Sequence, residues 1–268
     1  MTRAIALLLT VITFAVSQES TPNAQRRPVD RIPYAPPSLL LKEPPPLQPV
    51  DSIVVLHGRR DRKVIALTFD ACSTRKPSQY DERITEILVE TKTPATLFLG
   101  GKWMEEEVEQ TKYLASIPYF ELGNHTFLHP HLLEMSDARI RQELAWTQEI
   151  MYSLTGKQSS LFRPPYGEED NRVARIAASM GLRTIQFDLA SGDPDSSISK
   201  DRLIEYVSSM AKSGSIIVMH INRRGWHTAE ALPEIISRLR KRGFTFVTVG
   251  ELLSELEPSA TTKQKARD

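Results

Sequence analysis

Residues 64–69 read Val-Ile-Ala-Leu-Thr-Phe, an apolar run rich in β-branched and aromatic residues that ends directly before Asp70. A short run of this composition is typical of a buried strand. Six similar runs follow along the chain, at residues 95–99, 119–122, 161–162, 184–187, 216–219 and 244–247. We therefore predict seven strands, the first of which has an acid at its carboxyl end.

Stretches with helical pattern separate these runs, at residues 80–89, 103–115, 138–154, 172–180, 203–210 and 232–240. Strands that alternate with helices imply right-handed crossovers and a parallel sheet, so the predicted fold class is α/β. Seven strand–helix units are close to the number that closes a barrel. An open doubly wound sheet is the alternative, but the glycine-rich loop of dinucleotide-binding folds does not follow the first strand.

Composition and charge are those of an ordinary globular protein. The chain has 268 residues, of which 40% are hydrophobic and 25% are charged, so one large domain is expected. Lysine and arginine total 34 against 33 acidic residues, and this balance gives no reason to expect a nucleic-acid partner. Cys72 is the single cysteine, so no intramolecular disulfide can form. The sequence leaves the oligomeric state open.

The first 17 residues have the pattern of a secretory signal peptide. Arg3 precedes an apolar run over residues 4–16, and Ala15 and Ser17 are the small residues that a signal peptidase reads. The run is shorter than the roughly 20 residues that span a bilayer. We expect export to the periplasm or the extracellular space, cleavage near Ser17 and no membrane span afterwards. An uncleaved signal anchor is the alternative.

Residues 18–60 are predicted to be a proline-rich linker or arm. Nine prolines fall between positions 22 and 49, and such a stretch tends to extended polyproline-type chain. As an arm it would lie on the domain surface, with residues 39–41 as its contact. The folded domain is predicted over residues 61–257, followed by a polar tail at 258–268.

Two histidines stand four residues apart, His125 and His129, directly before Pro130. On one turn of helix such residues share a face, so both imidazoles could reach a single ion. Two imidazoles and one carboxylate form a ligand set of catalytic zinc sites that keep a position open for water. Chance spacing in a solvated loop would give the same pattern.

Seven polar residues that could act as acids, bases or metal ligands, including the histidine pair, follow predicted strands. In chain order they are Asp70, His125, His129, Arg163, Asp188, Asp193 and His220. In a barrel of strand–helix units the carboxyl ends of the strands converge on one face, where active sites are built. We therefore expect these side chains to meet there.

Five segments carry a resemblance to a known family. They are Leu67-Thr68-Phe69-Asp70, His125 to Pro130, Arg163-Pro164-Pro165-Tyr166-Gly167, Phe187-Asp188 through Asp193, and Ile217-Val218-Met219-His220. In this order they resemble the motifs of the polysaccharide deacetylase family, also called the NodB-homology domain or carbohydrate esterase family 4. The resemblance covers roughly residues 63–256. It implies a distorted (β/α)7 barrel of the polysaccharide deacetylase type that removes N-acetyl groups with one divalent metal, usually zinc.

The resemblance also implies roles for single residues. Asp70 would take a proton from the metal-activated water, and His220 would protonate the leaving amine. Asp193 would raise the pKa of His220. Arg163 would hold Asp70 through a forked pair of hydrogen bonds.

Two aromatic residues are the candidate substrate contacts. The backbone amide of Tyr166 would face the oxyanion. Trp226 would form a wall of the acetyl pocket or contact a sugar ring, and a place in the core is the alternative.

The metal ligands include one departure from the family pattern. Most members have a second aspartate after the base, and it binds the metal, whereas this chain has Ala71 followed by Cys72. Asp81 is the first substitute as third ligand, although Ser78 to Asp81 also has the pattern of a capping box. Cys72 or water are the others.

The sequence thus predicts an exported, metal-dependent hydrolase acting on a glycan that contains N-acetylglucosamine. An inactive carbohydrate-binding relative is one alternative, because Ala71 weakens the ligand set. A metal-dependent amidase on a small nonsugar amide is another.

Overall fold

The computed structural model describes residues 42–73 and 79–254. The predicted signal peptide, the contact at residues 39–41, Ser78 of the predicted capping box and the polar tail lie outside these ranges. None of the helices in the described ranges combines the length and the apolarity needed to cross a bilayer.

Nine strands and eight α-helices alternate through the described residues. The strands are β1 (Val54–Val55), β2 (Val64–Ala71), β3 (Ala95–Leu99), β4 (Phe120–Asn124), β5 (Leu161–Phe162), β6 (Arg183–Ile185), β7 (Leu189–Ala190), β8 (Ile216–His220) and β9 (Thr245–Phe246). The helices are α1 (Glu82–Glu90), α2 (Gly101–Glu106), α3 (Val108–Ser116), α4 (Asp137–Thr155), α5 (Asn171–Ser179), α6 (Lys200–Met210), α7 (Thr228–Lys241) and α8 (Val249–Ser254).

The strands form one curled parallel sheet in the order β1-β6-β5-β4-β3-β2-β8-β7, and β9 pairs with the start of β2. Helices cover the sheet, so its strands are apolar along nearly their whole length, as expected of parallel strands buried on both faces. The predicted α/β fold with a distorted (β/α)7 barrel is confirmed.

Strand β2 lies at the centre of the sheet, between β3 and β8. Its last seven residues are buried, which explains the unbroken apolar run in the sequence. The register places Asp70 beside Phe98 on one side and His220 on the other. The sheet itself therefore brings together two of the predicted catalytic residues that are 150 positions apart in the sequence.

The predicted helix over residues 103–115 is wrong in one respect, because it is two helices. Glu107 has a non-helical backbone (φ −120°, ψ 54°) and separates α2 from α3. The break allows both helices to bury apolar residues, Trp103 on α2 and Leu114 on α3. A continuous apolar pattern hid this bend.

The described part of the proline-rich stretch lies against the domain. The Lys42 amide donates to Ser153 Oγ at 2.8 Å, and the Val50 amide donates to the Ala178 carbonyl at 3.0 Å. Residues 54–55 form β1, which pairs with β6. From residue 42 onward the chain is thus an arm rather than a free linker, and the predicted domain boundary at residue 61 excludes one strand of the sheet.

Candidate active site

A cavity of about 270 Å³ lies at the carboxyl ends of the central strands. Seven of the residues singled out in the sequence line it: Asp70, Cys72, His125, His129, Tyr166, Asp193 and His220. Arg163 is buried and bonded to Asp70, whereas Asp81 and Trp226 line a separate cavity. Asp188 has a structural role, since its carboxylate accepts hydrogen bonds from Arg60, Ser215 and the Ile216 amide.

The Asp70 carboxylate is held at the end of β2 and is only 6% exposed. Its Oδ1 accepts a hydrogen bond from Arg163 Nη1 at 2.8 Å, and its Oδ2 lies 3.7 Å from His125 Nε2. Burial alone would raise the pKa of Asp70, but the charge of Arg163, with a further contribution from His220, outweighs it and lowers that pKa. Asp70 is therefore ionised and able to accept a proton.

Arg163 is fully buried beneath the cavity. Its Nη1 is shared between Asp70 and Thr68 Oγ1, and its guanidinium carbon lies 4.0 Å from the centre of the Phe98 ring. The predicted forked pair of hydrogen bonds to Asp70 is therefore wrong, because one nitrogen makes the contact. Gly123 is required here, since a Cβ at that position would lie 2.4 Å from the Phe98 ring.

His125 and His129 do meet, but the predicted helical geometry is wrong. They follow β4 in a loop in which Thr126 (φ 64°) and His129 (φ 56°) adopt the left-handed conformation. The centres of the two imidazole rings are 4.9 Å apart. The turn of the loop, and not a helical face, brings the two rings together.

Both imidazoles are neutral. Burial lowers the pKa of His125, and burial together with the neighbouring His125 lowers the pKa of His129 to about 2. His125 Nδ1 donates to the Arg163 carbonyl at 2.8 Å, which leaves its Nε2 lone pair facing Asp70. His129 Nδ1 is buried without a hydrogen-bond partner among the described residues. Neutral, oriented imidazoles of this kind fit two ligand positions of a divalent cation.

The third predicted ligand, Asp81, is not brought to the histidine pair. Its carboxylate binds Arg83 through two hydrogen bonds of 2.9 and 2.7 Å, because Arg83 is only two residues away. Asp81 is also the N-cap residue of α1, so the helix begins after the predicted capping box rather than within it. Across residues 42–73 and 79–254, no three His, Cys, Asp or Glu side chains are grouped to hold a metal ion.

Cys72, the other side-chain alternative, does line the catalytic cavity. Burial raises the pKa of its thiol to about 11, and Asn222 Nδ2 donates to its sulfur at 3.6 Å. The thiol is therefore protonated at neutral pH unless a bound cation displaces its proton.

His220 and Asp193 form a tight pair in the lining of the same cavity. His220 Nδ1 lies 2.9 Å from Asp193 Oδ1, and the His220 backbone amide donates to Asp193 Oδ2 at 2.8 Å. Ser191 and Thr228 also donate to this carboxylate. Burial would lower the pKa of His220, but the Asp193 charge outweighs it and raises that pKa. His220 is thus arranged to hold a proton that it can give away.

The two aromatic candidates differ in position. Tyr166 lies between two imidazoles, with its ring 4.1 Å from His131 in a stacked arrangement and 4.5 Å from His129. Trp226 is 60% exposed and lines the cavity of Asp81, so it is neither core nor a wall of the catalytic cavity. His131 has no distinctive signal in the sequence, and only the fold shows its contact with Tyr166.

Glu143 on α4 is a further residue that the sequence analysis missed. Its Oε2 accepts hydrogen bonds from the amides of Phe127 and Leu128, at 2.8 and 2.7 Å, in the loop between the two histidines. Its Oε1 accepts from Arg139 at 2.6 Å, and Glu143 is fully buried. Only the Arg139–Glu143 spacing of four residues, typical of a helical ion pair, was visible in the sequence.

We predict that Glu143→Gln loosens the histidine loop. The amide cannot accept from both loop N–H groups and also neutralise Arg139, so we expect a loss of about 3–5 kcal/mol of unfolding free energy and about 10-fold weaker metal binding. Urea unfolding and zinc titration would measure both. Glu109→Gln, at an exposed ion pair with Lys112, is the control and should cost under about 1 kcal/mol. Equal behaviour of the two variants would exclude this role for Glu143.

The fold and this site define a hydrolase of the deacetylase type, with an ionised acid, a neutral histidine pair and a histidine of raised pKa around one cavity. Residues 57–185 match the family model described as polysaccharide deacetylase. The chain belongs to the polysaccharide deacetylase family.

Two relatives with named activities are similar to this chain. A bifunctional xylanase/deacetylase of Pseudobutyrivibrio xylanivorans is 32% identical over 72% of this chain, but the match spans only 31% of that protein's length. Peptidoglycan-N-acetylmuramic acid deacetylase PdaA of Bacillus subtilis is 29% identical over 75% of each chain.

Two solved structures are also similar. One is the Xyl-CE4 domain of a multidomain xylanase from the hindgut metagenome of Trinervitermes trinervoides, which is 31% identical with a TM-score of 0.65. The match covers 72% of this chain and 90% of that domain. The other is BA3943 of Bacillus anthracis, described as a CE4 family pseudoenzyme, which is 28% identical with a TM-score of 0.69. The match covers 76% of this chain and 70% of that protein. The fold is thus shared by named enzymes and by a pseudoenzyme.

Proposed function

We propose that this chain is an exported, metal-dependent hydrolase that removes N-acetyl groups from a glycan containing N-acetylglucosamine. The observation that carries the proposal is one cavity lined by ionised Asp70, by His220 with its raised pKa and by two neutral imidazoles. Amide hydrolysis needs a base and an acid of this kind, and pure binding needs neither. The named activities of the relatives support a glycan as substrate.

In the proposed reaction, Asp70 accepts a proton from the attacking water, and Arg163 fixes the direction of its carboxylate. His220 then donates its proton to the leaving amine, while Asp193 stabilises the imidazolium. A divalent cation bound at His125 and His129, zinc in our proposal, would supply Lewis-acid polarisation of the acetamide carbonyl. We propose that the Tyr166 backbone amide donates a hydrogen bond to the developing oxyanion.

Trp226 is proposed to contact a sugar ring beyond the reacting one. It is exposed and follows the strand that ends at His220, yet it lies outside the catalytic cavity. Arg223 lines the same cavity as Trp226, and the guanidinium N–H groups that it does not use for the Tyr80 carbonyl are donors for sugar hydroxyls.

An inactive glycan-binding protein is the second candidate function. It is favoured by the lack of a third side-chain ligand among the described residues and by the similarity to a CE4 pseudoenzyme. Under this proposal the cavity would bind an acetamido sugar without turning it over.

Acetate release separates the two candidates. We expect the purified chain, stripped of metal and reloaded with zinc, to release acetate from N-acetylglucosamine oligomers, and His129→Ala to lose both zinc binding and release. Isothermal titration with zinc and an acetate assay measure these effects. Glycan binding without acetate release under any divalent metal, by a protein with a normal unfolding transition, would overturn the enzymatic proposal.

A further inference from the structure

Arg224 is a charged residue of the catalytic cavity to which the reaction described above gives no role. It lies in the loop between β8 and α7 and lines the cavity beside Asp70, His129 and His220. Its side chain is exposed, and its charge acts on the buried Cys72 thiol, where it opposes the effect of burial on the pKa. Arg224 is thus an exposed cation in the lining of the catalytic cavity.

The carboxylates of this cavity are already neutralised by other groups. Asp70 pairs with Arg163, and Asp193 pairs with His220. Within residues 42–73 and 79–254, no carboxylate forms an ion pair with Arg224. The cavity thus presents a cation without an anionic partner to whatever enters it.

Other arginines near the cavity are used by the protein itself. Arg163 is buried against Asp70, Arg83 binds Asp81, and Arg223 donates to the Tyr80 carbonyl. Arg224 alone among these four has a guanidinium that lines the catalytic cavity and lacks both a carboxylate and a carbonyl partner in the described residues. A guanidinium binds a carboxylate in a planar, two-pronged geometry.

We propose that Arg224 is a specificity residue that binds a carboxylate on the glycan, close to the acetamide that is hydrolysed. The inference rests on the proposed function and narrows its substrate to acetamido glycans that carry a carboxylate. Two sources share this chemistry. The carboxylate can belong to a lactyl ether on the reacting sugar or to a uronic acid next to it.

The expected size of the effect follows from the type of bond. Loss of a hydrogen bond to a charged group lowers affinity or kcat/KM by about 10- to 100-fold. Because Arg224 is exposed, the lower end of that range and a clear dependence on ionic strength are expected.

The test compares matched substrates on the wild type, Arg224→Gln and Arg224→Lys. The substrates are a muramic-acid glycan oligomer, its methyl ester, an N-acetylglucosamine–glucuronate oligomer and an N-acetylglucosamine oligomer of equal length. Both kcat/KM for acetate release and equilibrium binding are measured at two salt concentrations. Arg238→Gln removes an equal charge on the far side of α7, where it pairs with Glu205 and Glu234, and serves as control.

We expect the wild type to prefer a carboxylate glycan over its uncharged counterpart by about 10-fold or more. Arg224→Gln should lose that preference while changing the uncharged substrates less than about threefold, and Arg224→Lys should keep part of it. A preference for the muramic or the glucuronate oligomer identifies the source of the carboxylate.

Two outcomes would overturn the inference. One is equal binding of charged and neutral glycans by the wild type, and the other is an equal loss on both in Arg224→Gln. If no glycan releases acetate, the proposed function fails, but the binding preference and its loss in Arg224→Gln still decide the role of Arg224.

Discussion

Asp70→Asn is expected to reduce acetate release by about 10²- to 10⁴-fold, the range that a general base contributes. The substitution keeps the shape of the side chain but removes the negative charge and the lone pair that accepts the proton of water. His125 and His129 stay in place, since Arg163 and Glu143 hold their loop through backbone atoms. Zinc affinity should therefore remain close to that of the wild type.

The same substitution has a stability cost that must be measured separately. Arg163 is 1% exposed and loses its only charged partner among the described residues, so we expect a loss of about 3–5 kcal/mol of unfolding free energy. Because the folded-state pKa of Asp70 is lowered, its contribution is present above the unfolded pKa and is lost as pH falls through the folded one. Urea unfolding at neutral and acidic pH should show this contribution in the wild type only.

Asp61→Asn is a suitable control, because Asp61 forms an exposed ion pair with Arg59 away from the cavity. It should leave both acetate release and stability nearly unchanged. Full activity in Asp70→Asn would remove the assignment of the base. A joint loss of activity and zinc binding would instead make Asp70 part of the metal site.

The extent to which the fold was predictable follows the length and regularity of its elements. Residues 95–99 and 161–162 were predicted with the boundaries that β3 and β5 have, and the predicted helix at 138–154 differs from α4 by one residue at each end. β1 and β7, which were missed, have two residues each, too few for a periodic signal. β5 is equally short, and its prediction rested on its place between two helical stretches. Their pairing is set by the rest of the sheet.

The site was predictable as a set of residues and less so as a geometry. Parallel strands bring their carboxyl ends to one face, which is why Asp70, His125 and His220 meet as expected. The loop conformation of the histidines was not visible, because it depends on Glu143 from the next helix. Asp81 was misassigned for a local reason, since Arg83 two residues later takes its carboxylate.

The pair formed by His220 and Asp193 gives the second large effect. We expect Asp193→Asn to lower kcat/KM at neutral pH by about 10²- to 10⁴-fold, as loss of a general acid would. The raised pKa of His220 depends on the Asp193 charge, since burial alone would lower it. Without that charge, less His220 is protonated at neutral pH, and the alkaline limb of the pH–rate profile should move to lower pH.

The raised pKa of His220 should also make the unfolding free energy depend on pH. A raised folded-state pKa contributes stability that is fully present below the unfolded pKa of histidine, roughly 6.5, and is lost as pH rises through the folded pKa. Asp193→Asn should remove this pH-dependent part, which unfolding measured across that window would detect. Asp195→Asn, an exposed acid two residues along the same loop, is the control and should leave the profile in place. If Asp193→Asn lowers the rate while the alkaline limb stays unmoved, Asp193 positions His220 without setting its charge, and the electrostatic role assigned to Asp193 is wrong.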